Sequence, residues 1–252
     1  MRILAFGGGL NSSALLVEAT SRNIVFDAIL FADTGGERPD TYAHITQMSN
    51  WAIQHGQPEI ERVAYVDKSG KEVTLEQRCI DQKMLPSLVY GFKKCSLRFK
   101  RAPQDKRMNN HPIARKVWKD GRKVEKWIGI DADEAHRAKI KDDAKYTYKY
   151  PLVDWDMGRN ECRQIMIGAG LQVPGKSSCF FCPAMRIKEI RKLRSCNPDL
   201  LERALAMESN ANLTTLKGLG GRLAWRTVMD QDEAQQKLFT PSVACDCYDG
   251  DE

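Results

Sequence analysis

The chain contains no apolar run of the roughly 20 residues that a membrane-spanning helix needs. It has no internal repeat and no long low-complexity stretch. Its first residues, Met1 to Phe6, run into a glycine cluster with too little apolar length for a secretory leader. These absences set aside membrane spans, solenoids and export, and predict a cytoplasmic protein without a membrane partner. With 252 residues, 42% hydrophobic and 29% charged, the composition is that of an ordinary globular chain. The length suits one large α/β domain with a small appended lobe. Eight cysteines are many for such a chain. In a reducing compartment they point to metal binding or catalysis rather than to a disulfide framework.

The net charge of +6 is unevenly spread. Between Lys93 and Lys126 there are 13 Lys and Arg against three acids, Asp105, Asp120 and Glu125. Such a segment suits the phosphates of a nucleotide or of a nucleic acid, or it is a solvated basic insertion.

Hydrophobic patterning gives strands over Ile3 to Phe6, Ile24 to Phe31 and Ile60 to Val66. Helices are expected from Asn11 or Ser12, capped by one of these side chains, and over Pro39 to His55. Strand and helix alternate, which predicts a doubly wound parallel sheet. Further along, helices are expected over Thr74 to Met84, Lys100 to Asn110, Glu161 to Gly168, Ala184 to Arg194 and Pro198 to Ser209. Val124 to Ile130 reads as a strand, and Pro151 to Trp155 as a short extended segment. The expected division is an α/β domain over 1–155 with a basic insertion at about 85–126, a helical Cys-containing part over 156–238, and a loosely held tail over 239–252.

Phe6-Gly7-Gly8-Gly9-Leu10-Asn11-Ser12-Ser13 joins a strand to a helix start, the layout that offers backbone amides to a phosphate. No Gly-Lys-Ser/Thr follows this loop, so it is not a Walker loop. A dinucleotide fingerprint would need its third glycine at Ser12. The loop resembles the Ser-Gly-Gly-x-Asp-Ser loop of PP-loop ATP pyrophosphatases and of the phosphoadenosine phosphosulfate reductase family. Gly8, Gly9 and Ser12 match, while Gly7 stands for Ser and Asn11 for Asp.

Four further segments resemble that family in the same order. Phe31-Ala32-Asp33-Thr34-Gly35 follows the second strand, and Cys95 to Pro103 looks like Cys-Cys-x-x-x-Lys-x-x-Pro with Ser96 for the second cysteine. Gly129 to Ala138 looks like Gly-Ile-Arg-x-x-Glu-Ser-x-x-Arg-Ala, with Asp131 for the first arginine. Pro151-Leu152 with Trp155, then Cys179-Phe180-Phe181-Cys182, completes the series. The resemblance implies an adenine nucleotide alpha hydrolase-like fold and an adenine nucleotide held by Phe6, Gly7, Gly8, Gly9, Asn11, Ser12, Ser13, Asp33, Thr34, Gly129 and Ile130. It implies catalytic roles for Lys100, Arg137 and Asp33. His136 reads either as a polar helix residue or as a base.

Cys179-x-x-Cys182 alone reads as a zinc half-site, a redox pair or part of an iron–sulfur cluster. The resemblance adds Cys95 and implies a 4Fe-4S cluster, with zinc as the alternative and Cys79, Cys162 or Cys196 as a fourth ligand. The tail thiols Cys245 and Cys247 sit among acids, unlike an activated nucleophile. The expected activity is ATP cleavage, with Mg²⁺, to an adenylate and pyrophosphate, activating a substrate for sulfur transfer from a donor protein. The alternatives are a sulfonucleotide reductase and a non-catalytic nucleic-acid-binding protein with structural zinc.

Overall fold

The computed structural model describes residues 1–92 and 94–239. These divide into two compact units. One contains Met1–Arg78 and Phe92–Phe180, and the other Cys79–Gly91 with the described residues from Phe181 on. The division falls inside the C-x-x-C.

In the first unit, β1 (Arg2–Phe6), β2 (Ala28–Asp33), β3 (Ile60–Ala64), β4 (Val124–Ile128) and β5 (Tyr146–Lys149) form one sheet in the order β3-β2-β1-β4-β5. Every pairing is parallel. Alternate side chains therefore feed two cores. On one face, Leu4, Phe6, Ile29 and Phe31 pack with Leu15 of α1 (Leu10–Ser21), Met48 of α2 (Pro39–Gln54) and Met166, which belongs to a later helix, Arg159–Gly168. On the other, Ile3, Leu30, Val124 and Tyr146 pack with Met108, Ala114 and Val117. Helices on both faces make this a doubly wound α/β sheet, as the alternation predicts.

After β3 come α3 (Leu75–Asp81), a short α4 (Lys94–Ser96) and a π-helical turn, Leu97–Arg101. The turn runs into α5 (Ala102–Asn109), which α6 (Pro112–Lys119) follows. The basic segment thus supplies the helices that cover the second face. Much of its charge is answered internally. Arg101 pairs with Asp105 and Asp143, Arg107 with Glu61, Arg122 with Asp120, and Lys126 with Asp105.

Several elements differ from the sequence expectation. β2 begins at Ala28 rather than Ile24, because the Phe26 amide bonds to the Gln57 side chain and the Asp27 amide to the Arg2 carbonyl before pairing starts. Pro151–Asp154 is a helical turn, α7, and not extended. Proline at a first helical position is pre-set for that turn, and the Asp154 and Trp155 amides bond back to Tyr150 and Pro151. β5, an edge strand, was not expected.

The helix Arg159–Gly168 is α8. The second unit holds α9 (Ile187–Cys196), α10 (Pro198–Asn210) and α11 (Trp225–Phe239). Buried Glu208 of α10 accepts the amides of Leu219, Trp225 and Arg226, so a distant carboxylate caps the start of α11. Among the described residues no helix is long and apolar enough to cross a membrane.

Candidate nucleotide site

The chain begins on the central strand, lays β2 and β3 on one side of it, and returns to place β4 on the other. Strand order therefore reverses at β1, and ligands of open α/β sheets bind at the carboxyl ends of such a point. The glycine loop leaves β1 there. Gly8 has φ +69°, and a Cβ on it would meet Ile45 at 3.2 Å and Thr41 at 3.3 Å. Gly9 is the N-cap of α1, and no side chain caps the helix. The expected cap at Asn11 or Ser12 is thus corrected. The Ser12 and Ser13 hydroxyls each donate to the Gly9 carbonyl at 3.0 Å, so they turn away from the amides. The first amides of α1 have no intrahelical acceptor and are left for an anion, favoured by the helix dipole.

Asn11 instead reaches across to β4's exit, where its Nδ2 donates to Asp131 Oδ2 at 2.9 Å. Asp131 is buried, and its Oδ1 accepts the Glu134 amide of the 3₁₀ helix Ala132–Arg137. A carboxylate therefore stands beside the loop position where the resembled family carries Asp. Gly129 packs directly on the first turn of α1, and Ile130 after it is buried.

Asp33 and Thr34 leave β2 at the same edge, but Asp33 is fully engaged. Its Oδ1 accepts the Gly35 amide at 2.7 Å and the Tyr42 hydroxyl at 2.8 Å, and its Oδ2 accepts Arg62 Nε at 2.7 Å. Burial and this bond raise the Tyr42 phenol above its usual range. Thr34 Oγ1 lies 3.1 Å from Cys179 Sγ. These residues hold the loop in shape.

A pocket of about 390 Å³ opens at this edge, between the sheet and the π-helical turn. The small side chains of Ala5 and Ala32 leave the space, Ile128 and Leu97 give it apolar walls, and Gly7 joins it to the glycine loop. Lys100 lines it with a partly exposed side chain, at 3.7 Å from Glu37 Oε1. π-Turns are frequent at functional sites because they re-aim side chains. Lys126 also lines the pocket; it is buried, and that burial lowers its ammonium from the usual range despite Asp105 at 3.6 Å.

Arg137 does not line the pocket. It is exposed on the 3₁₀ helix and ion-paired with Glu134, and His136 beside it is exposed. Two features escaped the sequence reading. One is Glu37. The other is the stretch 175–177, just before the C-x-x-C segment, which together with Phe180 lies along both loops. Ser177 Oγ packs on Gly9, the Arg38 guanidinium donates to the Lys176 carbonyl, and the Phe180 amide donates to the Gly36 carbonyl at 2.7 Å. Gly170 to Ser177 spells G-x-x-x-x-G-K-S, a signal that draws attention to Lys176 and Ser177. It follows α8 rather than a strand and precedes no helix, so it is not a Walker loop.

Cys95 is half-buried in α4, and Cys179 is buried beside Thr34. Cys182 and Cys79 belong to the second unit, and Cys196 is exposed at the end of α9. Cys162 is buried in the first core, which pushes its thiol up to about 12. Among the described residues no group of three or more His, Cys, Asp or Glu side chains could hold a metal ion. Cys245 and Cys247 lie outside the described residues.

The chain matches no protein-family model and no curated protein.

Proposed function

We propose that this chain is an ATP-using enzyme of the PP-loop type, which adenylylates its substrate, releases pyrophosphate and so activates the substrate for sulfur transfer. The observation that carries the reading is the continuity of an apolar pocket, through Gly7, with an uncapped helix start at the point where strand order reverses.

In this reading the adenine lies between Ala5, Ala32, Ile128 and Leu97. The phosphates run along the glycine loop to the first amides of α1, and Lys100 neutralises part of their charge. Magnesium arrives with the triphosphate as part of the substrate. A substrate oxygen attacks the α-phosphorus, a new P–O bond forms, and the bond to the β-phosphate bridging oxygen breaks, releasing pyrophosphate. A sulfur nucleophile then displaces AMP from the activated carbon. The side chains contribute positioning and charge, which are the main requirements of phosphoryl-type transfer.

The test is pyrophosphate release from ATP by the full chain with small-molecule and nucleic-acid substrates. ATP-dependent release that falls at least tenfold in Lys100→Met supports the reading. Nucleotide binding without release under any substrate condition would reduce the protein to a binder.

A further inference from the structure

Asp33 and Glu37 are four residues apart at one edge of the site, and their carboxylates are in opposite conditions. Asp33 accepts three hydrogen bonds. Glu37 has a side chain only 1% exposed, and neither of its oxygens has a hydrogen-bond partner. A buried polar group left unpaired is rare in native structures and marks strain or a functional role.

The nearest cation explains how the group is tolerated. Lys100 Nζ stands 3.7 Å from Glu37 Oε1, close enough for charge attraction and too far for a good hydrogen bond. The other groups that face Glu37 are Asp33 at the end of β2, Arg38 next to it in the loop, and Tyr42 on α2. Burial pushes the Glu37 carboxyl up, Lys100 pulls it down, Asp33 pushes it up again and Arg38 pulls it down, and the balance lies above the usual carboxylate range. The loop that carries Glu37 is pinned by the Gly35 amide on Asp33, so Glu37 cannot readily swing into water. Lys100, in contrast, lines the pocket on a long, partly exposed side chain and can move.

We propose that Glu37 is a positioning residue for Lys100, and that it takes up a proton from solvent when a bound phosphate draws the Lys100 ammonium toward the glycine loop. The inference rests on the nucleotide reading above and adds a coupling to it. In the empty site the buried carboxylate holds the ammonium at the pocket mouth. When an anion draws Lys100 away, a carboxylate without a donor is left in a buried place. Adding a proton removes that charge, while Lys100 keeps its own proton throughout. The sign follows from linkage: binding that takes up a proton becomes tighter as pH falls, by at most about tenfold per pH unit for one proton.

The experiment is calorimetric titration of the full chain with α,β-methylene ATP, in buffers of different ionisation enthalpy and across neutral pH. The nucleotide's own proton exchange is common to all variants and cancels in their difference. The wild-type chain should take up more protons than Glu37→Gln, which keeps the shape but cannot titrate. The Glu37→Gln affinity should depend less steeply on pH, and Glu37→Asp should restore part of the uptake. Lys100→Met, which leaves no ammonium to displace, should also lose the excess uptake and covers the case in which Glu37→Gln does not fold. Equal uptake in all variants overturns the proposal while leaving the nucleotide reading intact. No binding to the wild-type chain sinks the nucleotide reading, and the proposal with it.

Discussion

Gly129 lies so close to Ser12 that a Cβ on it would stand 2.7 Å from the Ser12 amide nitrogen. Both partners are backbone, one at β4's exit and one in the first turn of α1, so neither can yield without moving an element. Gly129→Ala should therefore destabilise the chain by about 1–3 kcal/mol, the usual cost of overpacking, and weaken nucleotide binding as well. Denaturant unfolding and ATP binding of the variant check this together. An unchanged midpoint with unchanged binding would show that the two segments are not in contact.

Gly9 offers the contrasting case. Its added Cβ would meet the Ser177 hydroxyl at 2.7 Å, and that is a side chain free to rotate. Gly9→Ala should cost little stability yet weaken binding of the triphosphate more than of AMP, because the intruding methyl lies beside the amides assigned to the outer phosphates. Combining it with Ser177→Ala should recover part of the loss.

Asp33→Ala removes the acceptor of the Gly35 amide, the Tyr42 hydroxyl and Arg62. Leaving buried donors unpaired costs about 1–3 kcal/mol. The expected result is a less stable chain with weaker nucleotide binding, and Asp33→Asn should rescue stability only in part, because an amide cannot accept all three. A stable Asp33→Ala chain with lost activity would return Asp33 to a direct catalytic role.

His44 gives a pH signature. Its Nε2 is 2.8 Å from Ser13 Oγ, whose single proton is used on the Gly9 carbonyl, so a neutral His44 donates to Ser13. Burial lowers the His44 pKa from its ordinary 6.5. A base with a depressed folded-state pKa stabilises the fold fully above its unfolded value and loses that contribution as pH falls. Stability of the wild-type chain should thus decline below about pH 6.5 more steeply than that of His44→Gln. Parallel curves would remove His44 as the source.

Much of the architecture is legible in the sequence, and the exceptions have physical causes. The apolar run at Ile3 to Phe6 marks the central parallel strand, the reading over Ile60 to Val66 finds the edge strand β3, and Pro39 and Pro198 fix helix starts. Tyr146 to Lys149 escaped because its alternation, Tyr-Thr-Tyr-Lys, lasts only four residues at a sheet edge. α1 begins at an uncapped glycine because Asn11 bonds to Asp131 and Ser12 to the Gly9 carbonyl, so the usual capping signal pointed to the wrong residues. At the site, the glycine loop and Lys100 are readable as motif positions. Glu37 is not, because its interest lies in unpaired burial, which only packing creates. Arg137 matches a motif, yet its guanidinium is engaged by Glu134, three residues before it.

The most direct test of the account is a crystal structure of the full chain with α,β-methylene ATP, which cannot be cleaved between its α- and β-phosphates. The adenine is expected between Ala5, Ala32 and Ile128, with phosphates on the amides at the start of α1 and Lys100 turned toward them. A nucleotide bound elsewhere, or a pocket that stays empty at saturating ligand, would contradict it.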